Sequence, residues 1–370
     1  MEHIRPDFAG YVRAWARPVV QRMREVPVRS DMILRRGRGP VAVFLPARGQ
    51  EGASLVRIHN VAQALRHRGW RTLVLPWRLT LAQRRRFLAA SAPDVLVMQG
   101  VRHELNRPSL YPGIPIVMDL DDADFHLPHL SEPLRSAMPD VSAVVAGSDY
   151  VAEWCRAAGA PQVHVIWTGM PVSSAARPPQ DKRPPVVAWA QTRPMTYRRE
   201  AELVRSVMAK LSQSVPATTL RLFDYRPGDD RGFAQWFRAA GIQTEWYDRA
   251  QFRDYLKMFD DVALGLAPLC PETPFSRGKS FGKILAYLDR HVPVICSAAG
   301  EHGAFFDAET GVLAHETDDW VGAAERLLAD PHLRQSLAHA GFRAFEKRLS
   351  LDAVASRMHK VLLSHVEKLS

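Results

Sequence analysis

"GKSFGKILAYLDRHVPVI", residues 278–295, is an apolar stretch that opens on Gly278-Lys279-Ser280, carries a second lysine at Lys283 and runs into the short strand-like "HVPVI". A helix followed at once by a buried apolar strand is one repeat of a parallel α/β sheet. A loop–helix junction with Arg277, Lys279 and Ser280 offers an anion backbone N–H groups, the positive end of a helix and side-chain cations. Lys283 stands four residues after Lys279, on the same face of the expected helix. Like charges at that spacing repel unless an anion such as a diphosphate lies beside them. The plain alternative is a pair of solvated surface lysines. Gly278-Lys279-Ser280 is not a nucleotide-binding P-loop, because Thr273 stands where that pattern needs its first glycine. No G-x-G-x-x-G follows a strand either.

The same alternation extends outward in both directions. "VAVFLP" (41–46), "RTLVLP", "DVLVMQG", "IPIVMDLDD", "VSAVVAGS" and "VHVIWTG" read as strands separated by helical segments. "PVSSAARPPQDKRPP" (171–185) holds five prolines and no periodicity, as an interdomain linker does. The alternation then restarts with "VVAWA", "TLRLFD", "QTEWY", "DVALGLAPL" and "GVLA". Apolar strands alternating with helices predict parallel sheets covered on both faces. The expected fold class is α/β, as two open, doubly wound Rossmann-like domains in tandem. A basic N-terminal extension (1–40) precedes a first domain (41–172), a linker (173–185), a second domain (186–348) and a C-terminal helix (349–370) that crosses back to the first domain. In such sheets ligands sit beyond the carboxyl ends of the strands, so the functional site is expected in the cleft between domains.

Composition narrows the function. The chain has 370 residues, 46% hydrophobic and 24% charged, the balance of a soluble globular protein. No apolar run reaches the roughly 20 residues of a spanning helix, and no apolar signal-peptide core opens the chain. Cys155, Cys270 and Cys296 match no zinc spacing or disulfide framework, which points to a reducing, cytoplasmic compartment. Residues 1–40 hold nine arginines against four acidic residues, a surplus of five in a net charge of +10. "YVRAWARPVVQRMREV" mixes those arginines with Trp15, Val19, Val20 and Met23. It reads either as a segment in peripheral contact with an anionic membrane through residues 1–38, or as an arm packed on its own domain. No zinc-finger or RNA-binding motif accompanies the charge, so nucleic acid is not the expected partner.

Two further clusters carry chemistry. Arg193 and Arg198 flank the turn after the second domain's first strand, and arginine forks suit phosphate. Asp119, Asp121, Asp122 and Asp124, with His126, follow the strand "IPIVM". They read as turn and cap residues, or as an acid/base, acceptor-contact or metal site. No G-x-S-x-G elbow is present.

These residues also carry a resemblance. "KSFGKILAYLDRHVPVICSAAG" resembles the donor-binding segment of retaining GT-B glycosyltransferases of the family 4, or group 1, kind. "VAWAQTRPMTYR" is similar to that family's strand–arginine–lysine phosphate motif, with Arg193 at the arginine and Arg198 at the lysine position. "MFDDVALGLAPL", "VMDLDDADFH" and "VVAGSDYVAEWCRAAGA…VHVIWTGM" match further segments in order, from about residue 41 to 365. The resemblance implies transfer of a sugar, with retention, from a nucleotide-sugar donor (UDP- or GDP-sugar) to a glycan or lipid-linked saccharide, with no obligatory cofactor or metal. Arg193, Arg198, Lys279, Ser280 and Lys283 would hold the diphosphate, and Gly300 and Glu301 the donor sugar. Asp121, Asp122 and His126 would face the acceptor, and Gly52 and Arg57 would line the first-domain side of the cleft. The chain departs from the pattern at Ala286, where the family usually places a ribose-binding glutamate, and at Gly278, where a second glutamate is common. Glu301 and Glu272 are the candidates to compensate. A catalytically silent sugar-nucleotide or partner-binding relative, and a sugar-nucleotide epimerase, are the alternatives that this departure leaves open.

Overall fold

The computed structural model describes residues 38–226 and 231–366. The basic segment 1–38, with the membrane contact expected of it, lies outside that range but for Arg38. The apolar runs become β1 (Val41–Leu45), β2 (Arg71–Val74), β3 (Val95–Gln99), β4 (Ile116–Leu120), β5 (Ala143–Ala146) and β6 (Val163–Val165). The second set is β7 (Val186–Trp189), β8 (Thr219–Tyr225), β9 (Gln243–Asp248), β10 (Leu264–Ala267), β11 (Val294–Ser297) and β12 (Val312–Ala314). They form two six-stranded sheets, ordered β2-β1-β3-β4-β5-β6 and β12-β11-β10-β7-β8-β9. Every pairing is parallel, as helical crossovers between successive strands require.

Because side chains alternate along a strand, each sheet feeds two cores. In β1, Val43 and Leu45 pack with Leu96, Met98 and Met118, while Ala42 and Phe44 face Ile58, Val61 and Leu65 on the other side. That second face is covered by the C-terminal helix Leu351–Val366, through Val354, Met358, Val361 and Leu362. Trp70 Nε1 donates to His359 Nδ1 at 2.8 Å, and Arg68 pairs with Asp352 at 2.6 Å across the same contact.

The proline-rich stretch lies down on the second half of the molecule. Arg183 is buried and donates to the carbonyls of Pro178, Val262 and Arg290, and Gln180 donates to the His291 carbonyl. Met170, just before it, pairs with Ser350, so the two chain crossings between halves run side by side.

The opening stretch folds differently from a single helix. Pro274–Arg277 is one helical turn, Phe281–Lys283 a 3-10 turn, and only Leu285–Asp289 is α-helical before β11. Gly278, Ser280 and Gly282 interrupt the run, since neither glycine nor serine favours a helix interior. Tyr287 anchors the short helix: its hydroxyl donates to the Ala188 carbonyl at 2.8 Å and accepts from the Ala190 N–H at 2.7 Å. A Cβ at Gly265 in β10 would lie 2.8 Å from the Tyr287 ring, so the ring's seat on the sheet depends on that glycine.

Candidate active site in the cleft between the sheets

The carboxyl ends of both sheets face one another, and the polar clusters collect there. On the first side, a π-helical stretch (Ser54–His59) places Arg57 beneath the end of β4. Arg57 is 4% exposed and its Nε and guanidinium nitrogens engage Asp119 at 2.5–3.1 Å. It also donates to the Ile166 carbonyl at 2.8 Å and to Thr168 Oγ1 at 3.2 Å. Burial alone would lower the Arg57 pKa; Asp119 and Asp121 outweigh it and hold the group above its ordinary value. Asp121 Oδ1 accepts from Thr168 Oγ1 at 2.6 Å. Arg102 bridges Asp122, at 3.0 Å, and Asp124. Burial and the neighbouring Asp121 push the Asp122 carboxyl up.

On the second side, β7 ends in a turn where Arg193 adopts φ 49°, and the chain enters the helix Arg198–Ser214 through Tyr197. The Lys279 ammonium rests 3.5 Å from the centre of the Tyr197 ring, a cation–π contact. Lys283 Nζ donates to Thr192 Oγ1 at 3.0 Å, in the same turn. Burial lowers the Lys279 pKa to about 8, against the opposing pull of Asp122 and Glu200. Burial and the charge of Lys279 lower Lys283 as well. The two lysines therefore converge, but from a loop and a 3-10 turn rather than from one helix face.

The other expected site residues fall around this pair. Ser280 crosses to the first side, donating to Asp121 Oδ1 at 2.7 Å and lying 2.8 Å from Thr168 Oγ1. Arg198 points elsewhere: it pairs with Glu202 at 3.0 Å, and its guanidinium lies 4.9 Å from the Trp236 ring centre. Arg193 is exposed beside Thr192. His126 Nε2 meets the Tyr150 hydroxyl at 2.8 Å, and burial and Arg277 lower its pKa. Gly52, at φ 50°, is exposed in the loop after β1. Gly300, at φ 54°, opens the short helix Gly300–Phe305. Glu272 pairs with Arg199 at 3.2 Å. Glu301 accepts from the Asp149 backbone N–H of the first side at 2.7 Å and from Nε1 of Trp167, whose ring packs against Phe281 of the second side. Ala286 is 3% exposed among Phe281, Leu285 and Tyr287. Thr168, 1% exposed, is the hub that the sequence did not expose. Its only signal is its place just after a strand of the first set. Among the described residues, no group of three or more His, Cys, Asp and Glu side chains is arranged to hold a metal ion.

Comparison with solved structures settles the architecture. Sucrose-phosphate synthase from Thermosynechococcus elongatus superposes with a TM-score of 0.69 at 15% identity, over 90% of this chain and 100% of that one. A glycosyltransferase from Rickettsia africae gives 0.67 at 11% identity, over 89% and 99%. The fold is GT-B. Anabaena HepE, solved with UDP and glucose, gives 0.63 at 16% identity, over 88% of this chain and 100% of that one. No protein-family model and no curated protein sequence matches the chain. The two GT-B halves are thus the two sheets described above, and the clustered lysines and aspartates lie at the junction of their carboxyl ends. Among the described residues no helix is long and apolar enough to cross a membrane.

Proposed function

We propose that the chain transfers a sugar from a nucleoside-diphosphate sugar, UDP- or GDP-linked, to a saccharide acceptor, with the anomeric configuration retained. The observation that carries this reading is the convergence of Lys279 and Lys283 at the carboxyl ends of β7 and β10, opposite Asp121 and Asp122. As the bond from the anomeric carbon to the diphosphate oxygen breaks, negative charge builds on the leaving phosphate. Two ammonium groups in a partly dry cleft stabilise that charge more than they stabilise the bound donor. For the configuration to be retained, the acceptor hydroxyl adds to the anomeric carbon on the face from which the diphosphate departs, and its proton passes to the departing phosphate oxygen. Asp122, whose carboxyl burial has pushed up, faces the acceptor in this reading and orients its hydroxyl. The presence of UDP in the HepE structure favours a uridine nucleotide as the first one to test.

Calorimetry with UDP and GDP tests the phosphate site. Lys279→Ala and Lys283→Ala are each expected to weaken nucleotide binding by about 1.5–3 kcal/mol, roughly ten- to 150-fold. Unchanged affinity in both variants removes the site. Release of free sugar or transfer to added glycans then reports turnover, whereas interconversion of the donor sugar without acceptor marks an epimerase instead.

The site also makes a pH prediction. The Lys279 pKa is lowered to about 8 in the free protein, and only the protonated form attracts a diphosphate. UDP affinity is therefore expected to be flat below neutrality and to fall as pH rises through about 8, with proton uptake on binding above that point. Affinity that stays flat from pH 7 to 9.5 would show that Lys279 carries no charge relevant to the ligand.

A further inference from the structure

The two lysines of the cleft are held in different ways. Lys283 spends a donor on Thr192 Oγ1. Lys279 spends none: among the described residues, no ion pair or hydrogen bond engages its ammonium. Its partners are rings, with the centre of Tyr197 at 3.5 Å and that of Phe275 at 6.0 Å. Tyr197 is fixed from both sides of its own backbone. Its N–H donates to the Pro194 carbonyl at 3.0 Å, and its carbonyl accepts from the Ala201 N–H at 2.9 Å, where the turn after β7 becomes the helix Arg198–Ser214. The ring packs on the core that this helix shares with β7 and β8. Burial pushes the Tyr197 phenol up, so the ammonium faces a neutral ring and not a phenolate.

We propose that Tyr197 is the positioning residue of the phosphate site: its ring holds the Lys279 ammonium in the cleft and leaves all three N–H donors free for phosphate oxygens. This role rests on the phosphate-site reading above. A carboxylate in the same place would hold the lysine more tightly but cancel its charge, and a diphosphate would have to compete with it. A ring attracts the cation through its quadrupole and carries no net charge, so the full charge of the lysine meets the ligand. The ring also opposes burial, which by itself drives the amine toward its neutral form. The other charged groups that face Lys279 are Asp122 across the cleft, Glu200 on the helix that follows Tyr197, and Lys283. A change at Tyr197 leaves all three in place.

The test uses the full chain, with UDP and inorganic pyrophosphate as probes, by calorimetry from pH 6.5 to 9.5. Tyr197→Leu keeps apolar bulk and removes the ring; Tyr197→Phe keeps the ring and removes only the hydroxyl. Tyr197→Leu is expected to weaken both probes about fivefold at pH 7. The pH at which affinity begins to fall should move down from about 8 by about half a unit, because the charged lysine has lost its partner while burial remains. Tyr197→Phe should restore both values. In a Lys279→Ala background, Tyr197→Leu should cost nothing further, since the ring acts through the lysine. The same loss with and without Lys279 would overturn the proposal. So would unchanged affinity and midpoint in Tyr197→Leu, or a loss for UDP but not pyrophosphate, which marks a ring that stacks on the nucleoside. If wild type binds neither probe, the phosphate-site reading fails. The ligand-free titration of the Lys279 side chain by NMR then decides on Tyr197: a midpoint lowered in Tyr197→Leu and kept in Tyr197→Phe supports its hold on the ammonium, and an unchanged midpoint overturns it.

Discussion

Arg57→Ala is expected to lower the stability of the first half by about 3–5 kcal/mol, the cost of leaving one member of a buried ion pair uncompensated. Asp119 is 1% exposed, and the Arg57 guanidinium is the cation that engages it. The same guanidinium ties β4 to the Ile166 carbonyl and to Thr168, so its removal also frees the segment that leads out of the first sheet. A urea titration at neutral pH measures the loss. The double change Arg57→Met with Asp119→Leu should recover part of it, because Asp119 is then no longer orphaned, while Asp121 and the Ile166 carbonyl still lose a partner. A single variant within about 1 kcal/mol of wild type would mean that water reaches Asp119 and that the pair is not structural.

Ala286→Glu tests the other departure. A carboxylate at the position where the resemblance implies a ribose-binding glutamate would help only if residue 286 faces the ligand. Here Ala286 is buried in an apolar cluster with Phe281, Leu285 and Tyr287. The substitution is expected to cost about 3–5 kcal/mol at neutral pH by burying an unpaired charge. The pH dependence has a definite sign. Burial raises the introduced carboxyl's pKa in the folded state above its unfolded value, so the variant is most stable when acidic and loses stability as pH rises through the folded pKa. Melting curves between pH 4.5 and 8 report this. A variant that stays folded at neutral pH and binds UDP more tightly than its 2′-deoxy analogue would place residue 286 at the ribose and overturn the packing argument.

What the residues revealed in advance follows from the range of the interactions involved. Short apolar runs separated by helical segments were enough to foresee both parallel sheets, because strand burial and crossover length are local in sequence. The Arg198–Glu202 pair was also local, four residues apart on one helix, and weighing it would have drawn Arg198 away from the lysines. The broken helix at 278–289 was readable in Gly278, Ser280 and Gly282. Thr168, Trp167 and the Asp149 N–H were not readable, because their roles arise only when segments more than a hundred residues apart meet across the cleft. Glu301 was singled out for the donor sugar from its flanking residues, which gave no sign of its two partners, the Asp149 N–H and the Trp167 indole.

The return of the last helix to the first sheet has a consequence for how this chain is made. Residues 41–165 leave the ribosome before the second half and can pair their strands early, since those contacts are near in sequence. Ala42, Phe44, Ile58 and Val61 nonetheless stay without the cover of Val354, Met358 and Leu362 until the helix Leu351–Val366 has been made. The half that is made before the other is thus sealed after it. At roughly 5–20 residues per second, the nascent chain carries an open apolar face for on the order of ten seconds or more, a window in which holdase chaperones would find it. A chain cut just before Leu351 would lose little of the cleft and yet leave that face bare for good.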